Sequence, residues 1–226
     1  MARRKKRTSA ARILLALAVL FMAGGAAWLA YPYLKKASSS PSKPADATAG
    51  AIDPANEGQR VKISGQLIAA ASAHDREFGI GAKSAMLFRK VEMLQWQEHC
   101  AGAECSYEKV WSASAIDSHK FHTAAGHENP PLRIVSARFD AANMHLGVYE
   151  VDPALIEAQL PALERPVHAG ELPPNLAATF SVREGLLYAG GDPASPDVGT
   201  VRVSFREVPF GAVTLTGAQR GKHLTH

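Results

Sequence analysis

From Ile13 to Leu34 the chain runs 22 residues without a charge. At helical rise such a run reaches about 33 Å, enough to cross a hydrocarbon layer of about 30 Å. The sequence therefore sets this segment apart for lipid and leaves the rest to fold separately. Arg3, Arg4, Lys5, Lys6, Arg7 and Arg12 precede it, and only Lys35 and Lys36 follow at once. That bias holds the N-terminus in the cytoplasm and sends the remainder across. Trp28, Tyr31 and Tyr33 stand near the far end, at the depth where amphipathic rings settle. The rival reading is a cleaved signal peptide, with a shorter apolar run from Ile13 to Met22 ahead of Ala23-Gly24-Gly25-Ala26-Ala27. Against cleavage, the apolar stretch continues through Trp28, Leu29, Ala30 and Leu34. Both readings export everything that follows.

The whole chain of 226 residues carries a formal charge of +4, but the excess is local. Residues 1–36 hold 8 of the 25 Lys and Arg and none of the 21 Asp and Glu, so residues 37–226 carry 17 bases against 21 acids, a net −4. A nucleic-acid surface needs cations clustered on the folded domain to displace phosphate counterions, so DNA and RNA are excluded as partners. The expected organisation is a basic cytoplasmic tail over 1–12, a transmembrane helix over 13–34 and a flexible linker over 35–60. One extracytoplasmic domain over 61–222 follows, periplasmic in a bacterium. The linker expectation rests on the Ser, Pro, Ala and Gly content from Ser38 to Gly58, which cannot bury much apolar area.

Alternating apolar residues open the domain at Val61-Lys62-Ile63-Ser64-Gly65-Gln66-Leu67, as a half-buried strand requires. Phe88–Gln97 fits both periods, since Leu87, Val91 and Leu94 also share a helical face; the facing segment Tyr107–Ser112 decides for strand. Further strands are expected over 132–139, 178–188, 198–208 and 213–219. The clearest helix begins at Asp152-Pro153, an N-cap followed by proline in the first turn, and runs to Leu160 before Pro161; a second is expected over 66–75. The class is α+β: an N-terminal transmembrane helix, a linker, then one predominantly antiparallel β domain with one or two helices.

Cys100 and Cys105 are the only cysteines, and both lie on the exported side. With four residues between them in a hairpin they pair as a disulfide, or they stay as two free structural thiols. With His99 they also offer three metal ligands, without the second ligand pair that marks a zinc motif.

Four ordered blocks carry a family resemblance: Asp75-Arg76-Glu77-Phe78-Gly79, Val91-Glu92-Met93-Leu94-Gln95-Trp96, Gly126-His127-Glu128-Asn129-Pro130 and Val198-Gly199-Thr200-Val201-Arg202-Val203-Ser204-Phe205. Trp111 and Ile116-Asp117-Ser118 followed by Phe121 fall between them. Over roughly residues 60–222 the chain resembles the transmembrane protein 43 family, also called LUMA. The resemblance marks Phe78, Gly79, Glu92, Gln95, Trp96, Trp111, Gly126, His127, Asn129, Pro130, Gly199 and Arg202 as family-motif residues. It implies a membrane protein with a large lumenal or extracytoplasmic domain, envelope organisation or scaffolding, and self-association. Animal members are associated with emerin and lamins; for this chain the resemblance implies membrane or envelope proteins without naming them. Two departures stand out. Gly199-Thr200 replaces the family's Gly-Asp, and the family continues into several further membrane helices where this chain stops at His226, as a short member or fragment without them would.

No motif forces a reaction. His119, His122 and His127 lie close together but in a loop, where spacing alone does not converge ligands. Asp117-Ser118-His119 holds the side-chain types of a triad with no nucleophile elbow around it. Glu92, Gln95 and Glu98 read as a polar strand face, with Glu92 paired to Arg89 or Arg202. Trp96 and Trp111 read as cross-strand or core partners. No Gly-rich phosphate loop indicates a nucleotide, so no cofactor and no catalytic or metal residue is assigned. The expected function is a membrane-anchored, non-catalytic protein whose exported domain contacts the bilayer or other proteins. The alternatives are an exported metal-dependent enzyme and a secreted soluble binding module.

Overall fold

The alternation that begins at Val61 continues to Ala71, so the helix expected over 66–75 does not form. One edge of this strand binds a neighbour along its first half and the opposite edge binds another along its second, and twelve extended residues satisfy both. The computed structural model describes residues 43–81 and 83–226; the tail and transmembrane helix expected over 1–34 lie outside them. In chain order the strands are β1 Ala45–Thr48, β2 Arg60–Ala71, β3 His74–Asp75, β4 Ile80–Gly81, β5 Ser84–Ala101, β6 Glu104–Ser112, β7 Ala137–Asp140, β8 Ala142–Leu146 and β9 Tyr149–Val151. Helix α1, Pro153–Gln159, follows, then β10 Leu163–Arg165, helix α2 Pro174–Ala177, β11 Ser181–Arg183, β12 Leu186–Ala189, β13 Val201–Pro209, β14 Gly211–Arg220 and β15 His223–Thr225. The described residues are thus β-rich with two short α-helices, and none of their helices is long and apolar enough to cross a membrane.

Strands β2, β14, β15, β9 and β8 pair in that order, and β8 returns to β2, closing a ring. All of these pairings are antiparallel except β15 with β9. Inward-facing Val61, Ile63, Leu67, Leu146, Tyr149, Leu215 and Leu224 fill the interior. Helix α1 adds Leu155 and Ile156 to the same core. Its start follows the sequence: Asp152 Oδ1 accepts from the Ala154 amide, and Pro153 stands in the first turn, where its missing N–H is no loss.

The expected linker needs correction from Ala45 onward. Strand β1 lies parallel to β2, Ala45 beside Val61 and Thr48 beside Ser64, on the same edge that β8 takes farther along, over Leu67–Ala71. The Tyr149 hydroxyl donates to Ala51 O and Gln219 Nε2 donates to Asp53 O, so buried polar groups of the barrel tie this segment down. Composition missed it because backbone pairing, rather than apolar side chains, recruits the strand.

In the second sheet β13 is flanked by β5 on one edge and by β12 and β10 on the other, and β11 extends it past β12. Leu87, Val91, Phe78, Phe180, Leu187, Val203 and Phe205 make its core. Strand β5 serves both bodies, since Ala85 and Met86 enter the barrel core while Leu87 and Val91 enter this one. Only Ser84–Met93 pair with β13; from Met93 onward β5 pairs with β6, and the two leave the sheet as a ribbon. The strand expected over 132–139 shrinks to Ala137–Asp140, which pairs with the first half of β5. The strand expected over 178–188 is a hairpin, β11–β12, turning at Glu184-Gly185 with φ of 52° and 77°.

Candidate functional site: a clamped ribbon

Beyond Met93 the edge of β5 loses its strand partner, and side chains take over. The Leu94 amide still donates to Thr200 O and Leu94 O still accepts from the Gly199 amide. Two residues on, Asn129 Oδ1 accepts from the Trp96 amide at 2.7 Å, and its Nδ2 donates to Trp96 O at 2.9 Å and Ile116 O at 3.2 Å. One amide side chain so continues the ladder where the sheet ends. Gln95, wholly buried, does the same for the loop: Nε2 donates to Ser114 O at 2.9 Å and Oε1 accepts from the Ile116 amide at 2.8 Å. Gly79, Gly126 and Gly199 all sit at positive φ (67°, 82° and 95°). At Gly199 a Cβ would stand 3.0 Å from Pro130 Cγ, so this position needs both the freedom and the bare surface of glycine.

One face of the ribbon carries a ring cluster. His127 stacks on Tyr107 with centroids 3.7 Å apart and meets Trp96 edge-on at 4.9 Å, while Phe121 lies 5.9 Å from Tyr107. Glu98 Oε1 accepts from the Tyr107 hydroxyl at 2.7 Å and from the His122 amide at 2.6 Å. The same hydroxyl accepts from the Thr123 amide at 2.8 Å. The Tyr107 hydrogen bond, supported by the His122 amide, holds the Glu98 carboxyl below its ordinary pKa. Glu128 is also held low, by backbone amides including that of Gly126.

At the root of the ribbon Arg202 lies across from Glu92 in register and bonds it at 2.9 Å, and its guanidinium sits 4.3 Å from the Trp111 ring centroid. Burial pushes the Glu92 carboxyl up, but hydrogen bonds from Arg202 and Lys90 outweigh it and leave the group below its usual value. Of the two arginines the sequence offered, Arg202 is the partner. Arg89 instead forms a buried pair with Asp75 at 2.7 Å, reaches Glu77 at 2.7 Å and lies 4.6 Å from the Phe78 ring centroid. The sequence reading missed Asp75–Arg89. Its available signal was an aspartate able to accept from the amides two and three residues on, which Asp75 Oδ1 does with Glu77 and Phe78.

The chemical candidates are dispersed or engaged. Asp117 Oδ1 caps the turn over Ser118–Lys120 by accepting from the His119 amide, and Ser118 Oγ accepts from the Asn129 amide, so the three adjacent residues serve the loop. His127 lies in the ring stack, and His122 holds Glu98 through its backbone. Cys100 and Cys105 face each other at the ribbon tip, joined as a disulfide. Among the described residues, Glu98, Cys100 and Cys105 are the one trio of metal-ligand types whose ligand atoms all lie within 4.8 Å of one another, and both sulfurs are committed to the bond between them.

A family model described as Transmembrane protein 43 matches residues 93–226. The chain belongs to the transmembrane protein 43 family. Mouse and human Transmembrane protein 43 are each 28% identical over 204 residues, covering 76% of this chain and 48% of theirs. The fruit-fly Transmembrane protein 43 homolog is 24% identical over 169 residues, covering 66% of this chain and 43% of its own. The chain spans about half the length of the curated relatives it matches. No solved structure matches. The transmembrane protein 43 match begins at Met93, the residue where β5 leaves β13 for β6, so it covers the ribbon, its clamping loop and the later strands of both sheets. Membership makes this a membrane protein by family.

Proposed function

We propose that this chain is a membrane-anchored, non-catalytic protein that presents its β domain on the extracytoplasmic side. There it organises the envelope or acts as a scaffold, through contacts with proteins or lipid. The observation that carries this reading is how the family-motif residues are used. Gln95 and Asn129 bind the backbone of the ribbon and its loop, Glu92 pairs with Arg202, and His127 stacks on Tyr107, so together they hold out a two-stranded ribbon. Side chains spent in this way build a surface, whereas catalysis requires groups poised toward a reactant. The uncharged run over 13–34 with its one-sided cations supports the anchor and its orientation.

The test uses sealed vesicles of known orientation made from cells expressing the full chain. Carbonate washing should leave the polypeptide with the membrane. Protease added to the extracytoplasmic face should degrade the ribbon, and protease added to the cytoplasmic face should spare it. Release by carbonate, or cleavage from the cytoplasmic face alone, would overturn the reading.

A further inference from the structure

Alternation along the ribbon sorts the groups near the disulfide. Glu98, Cys100 and Cys105 project from one face, with Tyr107 directly across from Glu98 and Cys105 directly across from Cys100. His99 projects from the opposite face, where its Nε2 meets Glu108 at 2.8 Å. The third ligand that spacing offered beside the cysteines is therefore on the wrong side, and Glu98 stands in its place. Glu98 is oriented for the role: its Oε1 is fixed by the Tyr107 hydroxyl and the His122 amide, while Oε2 receives no hydrogen bond from any described residue. The carboxylate and both sulfurs lie within 4.8 Å of one another. Ligands of one tetrahedral zinc, with bonds of about 2.3 Å to sulfur and 2.0 Å to oxygen, stand about 3.5 to 3.8 Å apart. Side-chain rotation at the two cysteines covers that difference once the sulfurs part. The tip is also open: Cys100 is exposed and Cys105 half-buried.

We propose that the ribbon tip is a redox-gated site for a thiophilic divalent metal, zinc above all, closed in the disulfide form and opened by a dithiol donor. One thiolate of the donor attacks a sulfur of the Cys100–Cys105 bond and forms a mixed disulfide. The donor's second thiol resolves it, leaving two cysteine thiols on the protein and a disulfide on the donor, with two electrons transferred. Zinc then binds both sulfurs as thiolates, releasing two protons, and takes Glu98 Oε2 as third ligand, with water in the fourth position. Because Glu98 also holds His122 and Tyr107, metal at the tip is coupled to the loop that clamps the ribbon.

The experiment uses the full chain in detergent, purified without a polyhistidine tag, reduced with dithiothreitol and desalted under anaerobic conditions. The probe is Co²⁺ alone, followed by displacement with Zn²⁺. The reduced chain should bind one Co²⁺ with a thiolate-to-metal charge-transfer band that Zn²⁺ abolishes, and the oxidised chain should give no band. Cys105→Ser should remove the band. Glu98→Gln, which keeps an oxygen for Tyr107 and His122, should weaken binding at least about tenfold, the lower end of what losing a supporting group costs a metal site. His99→Ala should bind as the parent does. Recovery of the disulfide on reoxidation shows that each variant retaining both cysteines still folds the ribbon. Equal binding by oxidised and reduced chains, no band after reduction, or a loss caused by His99→Ala and not by Glu98→Gln would each overturn the proposal.

Discussion

The barrel and the ribbon are built from the same kind of strand but held by different forces. In the barrel, alternate residues of β2 and β14 point into a closed interior, and apolar burial does the work. In the ribbon, β5 and β6 have no second layer of strands among the described residues. The clamps are a few side-chain hydrogen bonds, one ring stack and one covalent bond. A closed core spreads its stability over many contacts and fails all at once. A clamped ribbon concentrates it in named residues and can loosen alone.

Four measurements would sharpen or break that contrast, in falling order of effect. Leu215→Ala removes a fully buried side chain from the barrel, and a core truncation of this kind costs about 3 kcal/mol. At about 2 to 4 °C per kcal/mol the Tm should drop by roughly 6 to 12 °C, with every probe moving together. If ribbon and barrel signals separated instead, the barrel would not be a cooperative unit. Replacing both cysteines by serine removes closure of a short loop, about 2 kcal/mol in the chain-entropy account. Hydrogen exchange should speed up over 96–108 while barrel amides hold their rates.

Asn129→Ala strips the Trp96 amide and carbonyl and the Ile116 carbonyl of their partner, worth about 1 to 2 kcal/mol. Protease should then cut within 113–131 before it cuts elsewhere, and unchanged cleavage would remove Asn129 from its role as clamp. The smallest effect is acid loosening of the ring cluster. Glu98 has a folded pKa below its unfolded one, so its contribution is complete above the ordinary glutamate value of about 4.3 and is lost as pH falls through the lower folded value. Trp96 fluorescence should report a transition in that acidic window, absent in Glu98→Gln.

Much of the barrel was legible in the sequence because its signals are local. Period-two alternation marks β2 and β14, and Asp152-Pro153 marks the start of α1. The strand assignment over 88–97 held because a facing segment was at hand. The misreadings share a cause: β1 and the far half of β2 are recruited by backbone pairing with strands distant in the chain, which leaves no trace in composition. At the ribbon, the family blocks identified the residues without their geometry. Nothing in the order of Trp96 and Asn129 says that an amide stands in for a strand, and Arg89 and Arg202 were equal candidates for Glu92 until register placed one of them across from it.

By itself, then, the sequence determined an uncharged run long enough to span a bilayer, a β-rich domain after it, and membership in a family. Each of these depends on near neighbours or on ordered blocks. Only the tertiary structure decided that five strands close into a ring, that a carboxylate rather than an imidazole shares a face with the two cysteines, and that the family residues bind one another. These are contacts between residues far apart in the chain or on matching faces of paired strands, and they are settled by strand register and the packing of two cores.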